Sequence, residues 1–191
     1  LAEAARVNFG YAPRGRVVIG DARASLERES GTWDLLFLDA FGSESPPTHL
    51  FTVEAFTQVR DRLSPNGVFA INLVSIISGP DDRPWKAVYR TLAATFPHVR
   101  AFVASDPSSG LANVLLFAST GPLEAGPPNA PERSAKEVAL MLSRELHPSP
   151  AELDGVPILL DDYSPLDTLI AATSRRWRRL LLQTMPEVLL N

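Results

Sequence analysis

The residues best placed to do chemistry are carboxylates. Asp39 follows the apolar run Leu35-Leu36-Phe37-Leu38 and precedes a loop rich in Gly, Ser and Pro from Ala40 to Thr48. A carboxylate at such a junction stands at the lip of a crevice. It can accept a proton from an amine or hold a cation there. The same position also suits a cap on neighbouring backbone N–H groups. Asp21 has a similar place after Val17-Val18-Ile19-Gly20. With Ala22 it could hydrogen-bond the edge of an aromatic base through its carboxylate and a backbone N–H. It could equally N-cap a helix that starts at Ala22. Glu44, in the loop after Asp39, is either a solvated charge or a second carboxylate facing a substrate.

Other chemistries find little footing. His49, His98 and His147 are isolated and lack ligand spacing, so no metal site is expected. There is no cysteine, hence no disulfide, thiolate zinc site or Cys nucleophile. That is compatible with the cytoplasm, the compartment expected here. No Ser sits in a nucleophile elbow, and neither a Walker-type phosphate loop nor Gly-x-Gly-x-x-Gly occurs. A formal net charge of −4 argues against a general nucleic-acid binder. No apolar run approaches the roughly 18 residues that span a bilayer. Arg175, Arg176, Arg178 and Arg179 surround Trp177 and precede three leucines. This cluster reads as the solvated basic face of a terminal helix in preference to a membrane or nucleic-acid contact, because positive charge suits a helix C-terminus.

These residues need a scaffold, and the chain supplies one. With 191 residues, 45% hydrophobic and 21% charged, it can bury a sizeable core. Residues 1–9 read as the last turns of a helix. Arg16-Val17-Val18-Ile19 reads as a buried strand, residues 22–29 as a short helix, and residues 33–38 as a second apolar strand. A helix over 53–63 has an inner stripe of Val53, Phe56, Val59 or Arg60, and Leu63. Ser64-Pro65-Asn66-Gly67 is a turn signal before a third buried strand over 68–74. Pro84 opens a helix on which Trp85, Val88, Tyr89, Leu92 and Phe96 recur at helical spacing. Residues 99–104 and 113–119 form a candidate antiparallel hairpin. Residues 121–131 are Pro- and Gly-rich. Helices are expected over 134–146 and 166–182, with a short apolar run at 156–160 between them. Strands alternating with helices argue α/β with a mostly parallel sheet and a C-terminal antiparallel hairpin. Ligands bind at the carboxyl ends of strands in such sheets, where Asp21 and Asp39 lie.

Three segments carry a family resemblance. They are Val18-Ile19-Gly20-Asp21-Ala22, then Trp33-Asp34-Leu35-Leu36-Phe37-Leu38-Asp39, then Leu63-Ser64-Pro65-Asn66-Gly67-Val68. They resemble the third to fifth strand regions of the Rossmann-like class I methyltransferase fold, and more specifically the spermidine synthase (polyamine aminopropyltransferase) family. Asp39, Pro46, Leu50 and Phe51 match that family's signature loop without a gap. The tail Leu159-Leu160-Asp161-Asp162-Tyr163-Ser164-Pro165 is similar to the ending of bacterial spermidine synthase-like proteins. The resemblance covers residues 1–120. A Pro-rich linker over 121–133 and a helical extension over 134–191 would complete the domain.

The resemblance implies roles residue by residue. Asp21 with Ala22 would hold the adenine of decarboxylated S-adenosylmethionine, or of S-adenosylmethionine, as co-substrate. Pro46 and Leu50 would line that pocket. Asp39 would be the general base, taking a proton from an attacking amine, and Glu44 would face the amine. A homodimer is implied on the same ground. Two departures stand out. Gly42 replaces the second Asp of the family's loop, so a cationic diamine would lose a charge-assisted contact. The family's opening strand, glycine-rich turn and ribose-gripping acid are not found before Leu1. The chain is therefore expected to be the C-terminal part of a longer protein, or to have a rearranged sheet or a completing partner, with weak cofactor binding on its own. Two other readings stay open: an S-adenosylmethionine-dependent methyltransferase on another acceptor, and a non-catalytic domain that keeps the fold for assembly.

Overall fold

The structure is a computed structural model that describes residues 2–40, 46–105, 110–124 and 132–184. The chain divides into two compact units, Leu1–Ser30 and Gly31–Asn191.

The first unit holds two helices, α1 (Ala2–Phe9) and α2 (Ala22–Arg28). The strand expected at residues 16–19 does not form. Those residues are irregular, and Val17, Val18 and Ile19 are exposed, Ile19 at 85%. A β-branched run marks a chain that fits a pleated, half-buried surface, but a strand exists only where a neighbour completes its ladder. None of the described strands pairs with it.

The second unit is built on a five-stranded sheet. Its strands are β1 (Trp33–Leu38), β2 (Leu63–Ile76), β3 (His98–Val103), β4 (Leu111–Ser119) and β5 (Glu145–Leu146). Their order in the sheet is β1-β2-β4-β3-β5. The α/β class holds. Within it the sheet is mixed: β1 and β2 run parallel, whereas β2–β4, β3–β4 and β3–β5 are antiparallel. The connections explain this. β1 reaches β2 through a crossover that contains helix α3 (Val53–Arg60), as parallel strands require. The hairpin β3–β4 then inserts β4 beside β2, so every later pairing is antiparallel. That hairpin lies close to where the sequence put it.

β2 is longer than expected at its start. The register jumps from Trp33–Leu63 to Leu35–Val68. The predicted turn Ser64-Pro65-Asn66-Gly67 is therefore a bulge inside β2. Asn66 takes a left-handed φ of 64°. A Cβ on Gly67 would stand 2.9 Å from the carbonyl oxygens of both Ser64 and Trp33, so only glycine fits.

One face of the sheet is covered by α3 and α4 (Arg83–Thr95), the helix opened by Pro84. Trp85, Val88, Leu92 and Phe96 of its predicted stripe are all buried against the core, with Tyr89 partly buried. Phe51, Phe56, Phe69 and Phe96 run through this layer with successive ring centroids 6.4, 5.5 and 6.3 Å apart. Such edge and tilted contacts add to simple area burial. On the other side of β1 the picture changes: Leu35 and Phe37 are 60% and 57% exposed. β1 is an edge strand among the described residues.

The remaining helices are α5 (Glu132–Leu142), α6 (Pro150–Leu153) and α7 (Leu166–Thr184). The helix expected to reach residue 146 stops at Leu142, and Glu145 and Leu146 instead add β5 to the sheet edge. Arg100 on β3 fixes that edge by a bidentate pair with Glu145, both contacts at 2.7 Å. The pair lowers the Glu145 pKa below its ordinary value.

Candidate active site

Asp39 stands where β1 ends, as predicted, and is exposed. The parallel register pairs Leu38 with Ile71, which brings the next residues, Asp39 and Asn72, side by side. The Asn72 amide Nδ2 donates to Asp39 Oδ1 at 3.0 Å. The amide can only be oriented this way, since the flipped form would set an oxygen against the carboxylate. Its own oxygen, Oδ1, is buried and accepts no hydrogen bond. Trp85 Nε1, Ser164 Oγ and Thr173 Oγ1 are also buried without partners. Asn72 Oδ1 differs from them in lying beside a carboxylate at a strand end.

This pairing is a missed residue. The sequence shows an Asn inside the apolar run Phe69-Ala70-Ile71-Asn72-Leu73-Val74, and a polar residue there is a signal in itself. An unpartnered buried amide oxygen is costly, by about 1–3 kcal/mol, unless something supplies an N–H or O–H.

The other predicted site residues fall into three groups. Pro46 and Leu50 are buried beyond the loop. Leu50 ends a short 3-10 turn (Thr48–Leu50) and belongs to the main hydrophobic cluster. Asp21 lies in the first unit and caps α2, its carboxylate accepting from the Ala24 N–H at 2.9 Å. Ala22 is the first residue of that helix. Glu44 and Gly42 lie outside the described residues.

The tail Leu159 to Tyr163 closes around the start of α3. Thr52, the N-cap of α3, donates its hydroxyl to Asp161 Oδ1 at 2.6 Å. The Asp161 N–H donates to Glu54 Oε2 at 3.0 Å, and the Val53 N–H donates to the Leu159 carbonyl at 2.9 Å. Leu160 and Tyr163 exchange backbone hydrogen bonds across the turn between them. The Leu159 N–H donates to Thr91 Oγ1 on α4 at 3.0 Å. The segment just before it is held as firmly. Arg90 donates to the carbonyls of Leu153 and Val156, and Arg83 donates to the Gly155 carbonyl. Lys86 is buried against Asp82 at 2.8 Å and Glu152 at 3.3 Å. Burial alone would lower the Lys86 pKa, but the two carboxylates outweigh it and raise it. Ser149 and Glu152 form a capping box on α6. The Ser149 N–H and hydroxyl, with Lys86, pull Glu152 down to about 2.

Among the described residues no group of His, Cys, Asp and Glu is arranged to hold a metal ion. No helix among them is long and apolar enough to cross a membrane.

Comparison with known proteins fits this architecture. Residues 2–72 match the family described as S-adenosyl-L-methionine-dependent methyltransferase. A polyamine aminopropyltransferase from Synechococcus sp. is 33% identical over 153 residues, covering 77% of this chain and 46% of that protein. The crystal structure of a probable spermidine synthase from Corynebacterium glutamicum superposes with a TM-score of 0.60 at 25% identity, covering 85% of this chain and 61% of that one. A spermidine synthase in complex with the transition-state analogue AdoDATO superposes with a TM-score of 0.51 at 24% identity, covering 73% and 58%. The fold is therefore α/β, of the class I methyltransferase-like type. Within that class the chain is a relative of the polyamine aminopropyltransferases, the spermidine synthase family. It spans about half the length of the curated relative it matches, 46%.

Proposed function

We propose that this chain carries the amine-activating part of an aminopropyltransferase of spermidine synthase type. The observation that carries the proposal is the Asn72 amide, which donates to Asp39 and leaves its own buried oxygen without a partner. The exposed carboxylate, braced by the amide N–H, is an acceptor for an N–H-rich group. A primary amine fits that acceptor. Asp39 would take the proton as the amine nitrogen forms its bond to the propyl carbon. Asn72 would hold the carboxylate in line. The C–S bond breaks in the same step, its electron pair stays on sulfur, and the sulfonium leaves as a neutral thioether. With so little charge on the leaving group, alignment and proton removal are the protein's main contributions.

The donor would be decarboxylated S-adenosylmethionine. Pro46 and Leu50 are proposed to border its adenine, and Asp21 with Ala22 to contact it. Glu44 is proposed to face the amine, and the enzyme to act as a homodimer in the cytoplasm.

A second reading is favoured by the family match over residues 2–72: methyl transfer from S-adenosylmethionine to an acceptor nucleophile. The products separate the two. The protein isolated from its source is incubated with a diamine and each donor in turn, and the nucleoside product is identified by mass. Methylthioadenosine supports the proposal. S-adenosylhomocysteine supports methyl transfer and removes it. Neither product, from a folded protein that binds neither donor, leaves the fold in a non-catalytic assembly role.

A further inference from the structure

Residues 46–52 carry two of the side chains proposed to border the donor, Pro46 and Leu50, and they lead into α3 at its N-cap, Thr52. The segment has little local structure to hold it. Its 3-10 turn is three residues long. The Leu50 N–H donates to the Pro47 carbonyl and the Phe51 N–H to the Thr48 carbonyl, both at 3.0 Å. Turns of this kind have poor hydrogen-bond geometry and stay short. Pro47, which opens it, offers no side-chain cap. The segment therefore takes its position from its anchors. One is Phe51, 1% exposed, whose ring meets Phe56 edge-on in the core.

The other anchor is Thr52, equally buried. A hydroxyl so deep in the protein needs partners. It accepts from the Ala55 N–H at 3.2 Å, the ordinary N-cap bond. Its proton goes to Asp161 Oδ1 at 2.6 Å, a short contact of the charge-assisted kind. The two residues are 109 apart in sequence. Two neighbouring bonds keep Asp161 in register with the helix. The Asp161 N–H donates to Glu54 Oε2, and the Val53 N–H donates to the Leu159 carbonyl. An N–H that a helix start leaves without an intrahelical partner is thus met by the tail. Asp162, the next carboxylate, is exposed and takes no part in these three bonds.

We infer that Asp161 is a positioning residue for the donor. Through the Thr52 hydroxyl it fixes where residues 46–52 lie, and so where Pro46 and Leu50 meet the adenine. The inference rests on the proposed aminopropyl transfer and adds to that site a control from the far end of the chain. Asp161 acts through Thr52, not on a reacting atom. Its loss leaves Asp39 and Asn72 paired, so the donor binds less well while bound donor reacts at the same rate. An interaction made equally in the ground and transition states moves KM and leaves kcat alone.

The test compares the protein, produced in its native host, with Asp161→Ala, Thr52→Ser and Asp162→Ala. Steady-state kinetics with decarboxylated S-adenosylmethionine and a diamine give KM for each substrate. Amide hydrogen exchange reads residues 48–56 without any turnover. In Asp161→Ala the donor KM should rise by about fivefold or more, with kcat and the diamine KM within about twofold of the parent. Exchange over 48–56 should quicken in the same variant. Thr52→Ser keeps the hydroxyl and should match the parent, as should Asp162→Ala. Should Asp161→Ala fail to fold, Asp161→Asn reads the same split. Its neutral oxygen is a weaker acceptor, and the donor KM should still rise by about twofold or more. The inference is overturned by an unchanged donor KM, by an equal rise in Asp162→Ala, or by a fall in kcat instead. A lower melting temperature with both KM values unchanged would make Asp161 merely structural and overturn it as well. A parent that releases no methylthioadenosine removes the proposed function and the donor role with it. The exchange pattern then decides by itself whether Asp161 holds residues 46–52 in place, so the two failures are told apart.

Discussion

The end of β1 and the clasp over residues 149–163 are built from the same kinds of residue and treat their polar groups in opposite ways. In the clasp, Thr52, Thr91, Arg83, Arg90 and Lys86 all find partners on the tail segment. At the strand end, Asp39 is exposed, and its hydrogen-bond partner Asn72 keeps a buried oxygen with nothing to accept. Saturated polar groups hold elements together. An unsaturated acceptor beside a carboxylate costs stability and is understandable only if something else completes it. The contrast separates a saturated region from an unsaturated one, and the proposed site lies in the second.

Substitutions should therefore split cleanly between turnover and stability. Asp39→Asn gives the largest effect on turnover, a loss of roughly 10²–10⁴-fold, the range expected for a general base. Its melting temperature should stay within a degree or two of the parent, since the carboxylate is exposed. Steady-state assay beside thermal unfolding measures both, and retained turnover would place the base elsewhere.

Asn72→Leu sharpens the contrast further. Leucine has a similar volume and removes the orphan oxygen, so stability should hold or rise. Turnover should fall by about tenfold or more, because the carboxylate loses a hydrogen bond of the charge-assisted kind. A variant that becomes both less stable and fully active would reverse the assignment and make Asn72 a structural residue.

Thr91→Val is the mirror case. Thr91 is fully buried, donates to the Ala87 carbonyl and accepts from the Leu159 N–H. Valine keeps the shape and leaves that N–H unpartnered, at a cost of about 1–3 kcal/mol. The melting temperature should drop by roughly 2–4 °C per kcal/mol for a chain of this size. Turnover per folded molecule should be unchanged. Loss of activity without loss of stability would mean that the clasp, too, belongs to the site.

The same contrast explains what the sequence made legible. Trp33 to Leu38 and the stripe Trp85, Val88, Leu92 and Phe96 are buried or half-buried where expected, apart from the open face of β1, because apolar periodicity reports burial directly. Val17 to Ile19 carried the same signal and are exposed, because periodicity is silent on whether a neighbour exists. The mixed sheet was hidden for a related reason: the apolar pattern of β4 is the same whether β2 lies beside it parallel or antiparallel. Asp39 was legible from its position after an apolar run. Its partner Asn72 was not, because the contact depends on a register between strands thirty residues apart in sequence. The clasp showed in the sequence as a short apolar run and a tail of familiar type, but its bonds did not, since side-chain to backbone bonds leave no period in the sequence.

The smallest predicted effect concerns acid. Glu152 is held at about 2, against an ordinary 4.5, first by the Ser149 N–H and hydroxyl and then by Lys86. A carboxylate depressed on folding adds stability that is complete above its unfolded value, and loses it as pH falls through the folded one. The contribution should therefore fade between about pH 4.5 and pH 2. Glu145, lowered by Arg100, adds a slope of the same sign. The Glu152 side chain is 53% exposed, so solvent screens the interaction and the slope is shallow. Urea unfolding at several pH values across that window reads it. Glu152→Gln should flatten the wild-type decline in part and leave the Glu145 portion. If the variant loses stability as steeply as the parent, the acid response lies outside the clasp. Turnover per folded molecule should follow neither curve, because Glu152 is bound by Ser149 and Lys86 and Glu145 by Arg100.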